Sequence, residues 1–237
     1  MTSFSELMNN MNWWGLLDLV LTAVCALFCI TFHEVSHGVV AWRLGDPTAK
    51  NAGRLTLNPI KHIDPFGLLL MIVAHVGWAK PVPVDMRYFK HPKRDMAITA
   101  LAGPVSNFLL AVAALLLCSL IAHVAAVGRA SLLALCFLSN LAVLSVGLGV
   151  FNLIPISPLD GSKVLFAFLP DKVYRTILHY ERYVMIAVVA LTFFGVFQRP
   201  LSFLITGVLR GLCAVTGYPI GLLFGMQDLS SVMQLIP

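Results

Sequence analysis

Charge is what this chain has least of. Lysine, arginine, aspartate and glutamate supply 11% of its 237 residues, against about 25% in ordinary soluble domains. So little charge cannot cover a water-exposed surface. With 59% hydrophobic residues and a mean hydropathy of +0.87, the composition predicts a polytopic membrane protein. Cysteine is sparse as well. Cys25, Cys29, Cys118, Cys136 and Cys213 are odd in number and all lie in apolar stretches, which argues against a disulfide framework and for small core residues. There is no internal repeat, no low-complexity segment and no G-x-S-x-G, and no serine is evidently paired with a histidine, so serine-protease chemistry is disfavoured. Residues 1–12 carry Glu6 and no lysine or arginine, unlike a secretory signal. The basic residues sit in short loops without interleaved aromatics. The net charge of +5 therefore reads as loops attracted to anionic lipid, with no nucleic-acid partner.

What the chain does have is one cluster of ionisable groups inside an apolar run. From Trp13 the sequence is almost unbroken hydrophobe until His33-Glu34-Val35-Ser36-His37. On a helix, histidines four apart stack on one face, where a single metal ion can bridge them. Glu34 projects beside that ion, placed to take a proton from an attacking water. Ionisable groups at membrane depth are costly and mark function. The helix is expected over 13–43, with Trp13, Trp14 and Trp42 as interfacial anchors. At 1.5 Å per residue the histidines lie about 9 to 15 Å beneath the Arg43 end.

Residues 43–64 and 77–95 are polar, and they flank an apolar piece, 66–76, that is about eleven residues long; a span needs about twenty. Arg43, Lys50, Arg54, Lys61, Lys80, Arg87, Lys90, Lys93 and Arg94 fall in this region, nine of the sixteen basic residues. Both flanks are thus expected on the cytoplasmic side, and the piece between them as re-entrant. Within 77–84 the alternating prolines Pro81 and Pro83 forbid helix and leave one side poor in donors. This stretch, with Val82 at its centre, is either an edge able to take an unwound peptide or a plain structural turn. Further spans are expected over 96–123, 131–154 and 183–197, with 200–226 a fifth or an interfacial segment cut by Arg210, Gly217 and Pro219. The fold expected is an all-α polytopic membrane protein of four to five transmembrane helices with a short re-entrant strand or hairpin. It forms one domain, 1–237, with a core of about 13–182 and additional hydrophobic segments in 183–237.

Catalytic zinc usually takes three protein ligands and keeps one position open. Asp160 is the candidate third ligand, because Pro155 and Pro158 break the helix just before it, near the face that the histidines approach. An N-cap for a helix over 161–169 is the alternative role. His62, His75, His91, His123 and His179 are single histidines in loops or at helix ends and are weaker candidates.

Together, His33-Glu34-x-x-His37 and Asn152-x-x-Pro155-x-x-Pro158-Leu159-Asp160-Gly161, with Gly103-Pro104-Val105-Ser106-Asn107 and the Gly77-to-Val84 loop sequence in support, resemble the site-2 protease family of intramembrane zinc metalloproteases. The resemblance implies that His33, His37 and Asp160 hold one Zn²⁺ per chain and that Glu34 is the general base. It also implies that Asn107, and similarly Asn152, help hold the substrate carbonyl. It points to the compact bacterial or archaeal type without PDZ or CBS domain, in the inner or plasma membrane, with its active site nearer the cytoplasmic face. The implied substrate is a transmembrane protein or a signal-peptide remnant. A metal transporter or a catalytically silent scaffold are the competing classes; neither gives a reason for Glu34 beside His33.

Overall fold

A computed structural model describes residues 13–64, 67, 79–126, 128–227 and 232. The first helix, α1 (Trp13–Arg43), is the expected one. It runs without proline or interior break and stops where Gly45 adopts a left-handed φ of 110°, a conformation that costs glycine little. A single turn, α2 (Thr48–Asn51), follows. Then come α3 (Pro92–Val124), opened by proline in its first turn, and α4 (Arg129–Asn152), where Ser131 Oγ accepts the Gly128 N–H at 3.0 Å. The chain closes with α5 (Asp160–Phe166), α6 (Asp171–Phe193), α7 (Gln198–Thr216) and α8 (Ile220–Gly225).

Among the described residues, four helices are long and apolar enough to cross a membrane: α1, α3, α4 and α7. The span expected over 183–197 lies in the C-terminal part of α6, which ends at Phe193 and whose middle carries Glu181 and Arg182. The least regular expected segment supplies α7, which tolerates Arg210 and ends at Gly217 in the left-handed conformation.

Polarity is inverted relative to a water-soluble protein. Leu16, Leu17, Leu19, Val20 and Phe28 of α1 and Val105, Leu109, Leu116 and Leu120 of α3 are exposed, whereas His33, His37, Asn107, Ser139, Ser145 and Asp160 are buried. This is the arrangement a lipid solvent favours: apolar groups outward, and polar groups inside only where they find partners. Helices α1, α3 and α4 pack on one another, α7 closes against α3 and α4, and α5 lies on α3. Small residues line the seams, among them Ala111, Ala114, Ala142, Cys118 and Cys136. Along α1 a stripe of Cys25, Cys29, His33 and His37, each four residues on, faces inward. Its two thiols donate to the Phe137 and Leu141 carbonyls of α4, at 3.4 and 3.7 Å.

The expected re-entrant piece, 66–76, lies outside the described residues except for Gly67. The proline-rich edge differs from expectation. Among the described residues no strand forms. Residues 79–84 are extended, and one antiparallel bridge among the described residues, Ile63 with Ala79, is their strand-like pairing. Pro81 and Pro83 lack the N–H that a ladder needs, so pairing stops there.

Candidate metal centre

His33 and His37 stand one turn apart on α1, rings perpendicular with centroids 4.6 Å apart. The Asp160 carboxylate reaches them from the first residue of α5. Its Oδ2 lies 3.0 Å from His33 Nε2 and 3.1 Å from His37 Nε2. One donor atom from each of the three residues falls within 4.8 Å of the others, and all three residues are buried. The alternative role for Asp160 is not what the structure places there. Leu159 is the N-cap residue of α5; the Asp160 carboxylate turns inward, its Oδ1 accepting from Lys163 Nζ at 3.0 Å.

The chemistry of this donor set calls for a cation. His37 Nδ1 lies 2.7 Å from the Thr99 carbonyl, an acceptor only, so Nδ1 carries the hydrogen. Neutral His37 then presents the Nε2 lone pair to the Asp160 oxygen 3.1 Å away. Two lone pairs at that distance repel unless a proton or a metal ion lies between them. Fixing the far nitrogen of a ligand histidine on a backbone carbonyl is also how metal sites hold tautomer and ring orientation. The three residues fit a divalent N/O site that leaves a coordination position open.

His33 is held from α3. Asn107, fully buried, places Nδ2 3.2 Å from His33 Nδ1, while its Oδ1 has no partner. Amide oxygen and nitrogen are assigned by their neighbours. If His33 gives Nε2 to a metal, its Nδ1 becomes the donor, and the reversed amide then offers Oδ1 to it. The orphaned oxygen is the atom that this rotation satisfies. Ser145 Oγ of α4 anchors the same residue by donating to the Asn107 carbonyl at 2.8 Å.

Glu34 is half-buried, and its Oε2 accepts the Val82 N–H at 2.8 Å. The extended segment is itself pinned along its length. Lys80 N–H donates to the His62 carbonyl at 2.9 Å, Arg54 Nη2 to the Lys80 carbonyl at 2.7 Å, and Asp85 N–H to buried Asp46 at 2.7 Å. Asp46 also accepts from the Thr48 backbone and hydroxyl. At the outer end Arg87 clamps the Asp85 carboxylate, Nη2 to Oδ2 2.6 Å, and holds its pKa below the usual range. Val82 is buried and Pro81 exposed.

Asn152 is not brought into this cluster. Its amide donates to the Leu148 carbonyl one turn back at 3.0 Å, and among the described residues it makes no hydrogen bond to the His–His–Asp group. Nor do the single histidines that are described join it: His62 sits on the Thr56 carbonyl and His123 on the Ser119 carbonyl.

Sequence reasoning missed three contributors, Thr99, Lys163 and Gly38, and quoted Gly103 only as part of a motif, without its role. Lys163 follows Asp160 by three positions on a helix, a spacing that signals a pair. Gly103 admits the imidazoles: a Cβ there would lie 2.5 Å from His37 Nε2 and 2.6 Å from His33 Cε1. Gly38 does the same for the extended segment, since a Cβ there would lie 3.0 Å from Val82 Cγ1.

The family model described as Peptidase family M50 matches residues 120–195, the stretch that holds Asp160. A Bacillus subtilis (strain 168) protein provisionally named zinc metalloprotease YwhC is 42% identical over 170 residues, which covers 70% of this chain and 75% of that protein. The similarly named Rip2 of Mycolicibacterium smegmatis is 31% identical over 194 residues, covering 79% of this chain and 71% of that one. Rip2 of Mycobacterium tuberculosis (strain H37Rv) is 29% identical over 195 residues, covering 78% and 71%. No solved structure matches the chain.

Proposed function

Because the chain belongs to peptidase family M50, the site-2 protease family of zinc metalloproteases, we propose that it cleaves a peptide bond within or near the transmembrane helix of a membrane-protein substrate. In this reading His33, His37 and Asp160 hold one Zn²⁺, and Glu34 is the general base. The observation that supports it is the convergence of two imidazole nitrogens and a carboxylate oxygen within 4.8 Å, inside a bundle of apolar helices. When bound, zinc supplies Lewis acidity, activating water near neutral pH and polarising the scissile carbonyl.

The chain's own residues do the rest. Glu34, held through Oε2 by Val82, keeps Oε1 to accept the proton of the attacking water and later delivers it to the leaving amide nitrogen. Asn107 orients His33 through its oxygen, which leaves its NH₂ to donate to the substrate carbonyl as negative charge develops there. Gly103, with no Cβ to meet the rings, lets α3 pack directly against both imidazoles. A helical substrate hides its carbonyls in its own hydrogen bonds, so the cleaved segment must unwind. The extended segment around Val82, which already touches Glu34, is the element beside which it lies. The basic loops on both sides of that segment support a site nearer the cytoplasmic face. Regulated intramembrane proteolysis, of a membrane-tethered regulator or a signal-peptide remnant, is the process this geometry serves.

Glu34→Gln is the discriminating variant. It is expected to keep zinc, by metal content of the purified protein, and to make uncleaved membrane-protein stubs accumulate in the membrane proteome. An unchanged proteome with zinc retained would point to transport or scaffolding and overturn the assignment.

A further inference from the structure

Asp160 reaches the histidines at the end of a turn, and that turn is fixed from two sides. Helix α4 ends at Asn152, and residues 153–159 fold back before α5 begins. On the inner side the fold-back is close. A Cβ at Gly161 would meet the Leu153 carbonyl and lie 2.7 Å from the Ile154 oxygen, so the turn packs backbone to backbone on the start of α5. Within it the Ile156 N–H donates to the Ile154 carbonyl at 2.8 Å, and the Leu159 N–H to the Ile156 carbonyl at 2.9 Å. Ser162 Oγ, in the first turn of α5, donates to the Leu159 carbonyl at 2.7 Å.

On the outer side the anchor comes from another helix. Ser157, buried in the turn, donates its hydroxyl to Glu181 Oε1 of α6 at 3.0 Å. Glu181 is half-buried and stands two residues before the apolar run that opens at Tyr183. An ionisable group at the edge of such a run is costly unless it finds a partner, and a hydroxyl donating to a carboxylate makes one of the stronger hydrogen bonds. Ser157 precedes Asp160 by three residues, at most about 10 Å of extended chain, so little slack separates the anchor from the ligand.

We propose that Glu181 is a positioning residue for the metal centre: through Ser157 it holds the 153–159 turn so that the Asp160 carboxylate meets His33 and His37. The inference rests on the reading that these three residues hold zinc. Ligand geometry depends on the contacts that fix each ligand's support. Here Ser162 and Lys163 fix the start of α5 from within, while Glu181 ties the turn before it to a separate helix.

The test measures zinc affinity of the full chain against a competing chelator, beside the melting temperature of the metal-free protein. Glu181→Leu is expected to weaken zinc binding about tenfold, and Glu181→Gln, which keeps an accepting oxygen, to recover most of that loss. Ser157→Ala is expected to match Glu181→Leu. Ser157→Ala/Glu181→Leu is expected to lose no more than either alone, because both remove the same contact. With cobalt in place of zinc, the visible absorption of the metal is expected to change in Glu181→Leu and to return in Glu181→Gln. If Glu181→Leu does not fold, Ser157→Ala and Glu181→Gln carry the comparison. Zinc affinity within twofold of the parent, with only the metal-free melting temperature lowered, would mean that the contact merely fixes α6 and would overturn the proposal. Additive losses, or a glutamine variant as weak as the leucine one, would overturn it too, since the effect would not run through the Ser157 hydrogen bond. A parent chain that binds no zinc sinks the metal reading itself, and the proposal with it.

Discussion

Gly103 shows how much of a candidate metal site can rest on an atom that is missing. Its Cα lies so close to both imidazoles that alanine would drive a methyl to within 2.5 to 2.6 Å of them, and neither ring has room to retreat while His37 is held by Thr99 and His33 by Asn107. Gly103→Ala is expected to lower zinc affinity by tenfold or more, an overpacking cost of about 1–3 kcal/mol, read by titration against a competing chelator. Asn107→Leu removes the partner of His33 Nδ1, and Lys163→Met frees the Asp160 oxygen that faces away from the histidines. Each is expected to cost about 10- to 100-fold in zinc affinity, the usual weight of groups that orient ligands. An affinity unchanged within twofold would show that these contacts do not position the ligands. At this scale the sequence was readable where chemistry dictates residue type: His33, Glu34 and His37 by spacing, Asp160 by the helix break before it. Thr99 was not readable, because it contributes a backbone carbonyl that any residue could supply. Gly103 was legible as part of the Gly103-to-Asn107 motif, but not its role, because a close approach between helices shows only in three dimensions.

At the scale of elements, the extended segment 79–84 is the part whose form departed most from expectation. Its position beside Glu34 follows from backbone hydrogen bonds to Glu34, Asp46, His62 and Arg54, partners spread over the preceding chain. The prolines explain why a strand does not form but not where the segment lies. The Val82 amide offers a sharp test. Val82→Pro deletes the N–H, whereas Val82→Ala keeps it. A hydrogen bond to a charged group contributes about 1.5–3 kcal/mol, so the proline variant is expected to lose roughly 10- to 100-fold in kcat with zinc content intact, and the alanine variant far less. Equal losses in the two would mean that side-chain packing, not the amide, positions Glu34. Pro81→Ala/Pro83→Ala is expected to impair cleavage without releasing zinc, measured on the same preparation. The long helices α1, α3 and α4 were legible because lipid imposes both length and composition on them. Helices α6 and α7 were harder, since charges at Glu181, Arg182 and Arg210 interrupt each hydrophobic run.

For the whole molecule, the inverted polarity means that the candidate metal centre is also a structural centre. It ties α1 to α5 while Asn107 and Thr99 bring in α3, at the place where buried polar groups most need partners. Zinc that binds only the folded chain stabilises it by about 2.7 kcal/mol at a free concentration of 100 times its dissociation constant. For a chain of this size, that corresponds to a melting temperature about 5 to 10 °C lower after chelation. Readdition of zinc is expected to restore it in the parent, and not in His33→Ala or Asp160→Ala. A melting temperature indifferent to chelator in the parent would argue against zinc at this site.

The inward stripe of α1 turns the helix into a lever. Its thiols brace the shaft against α4 while its imidazoles form the working tip, over about 18 Å of rigid rod. A bulkier residue at Cys25 or Cys29 would crowd the brace without touching His33, His37 or Asp160, and is expected to lower zinc affinity, read by titration against a competing chelator. The two thiols, one and two turns before His33 on the same face, tie the histidine-bearing helix to α4.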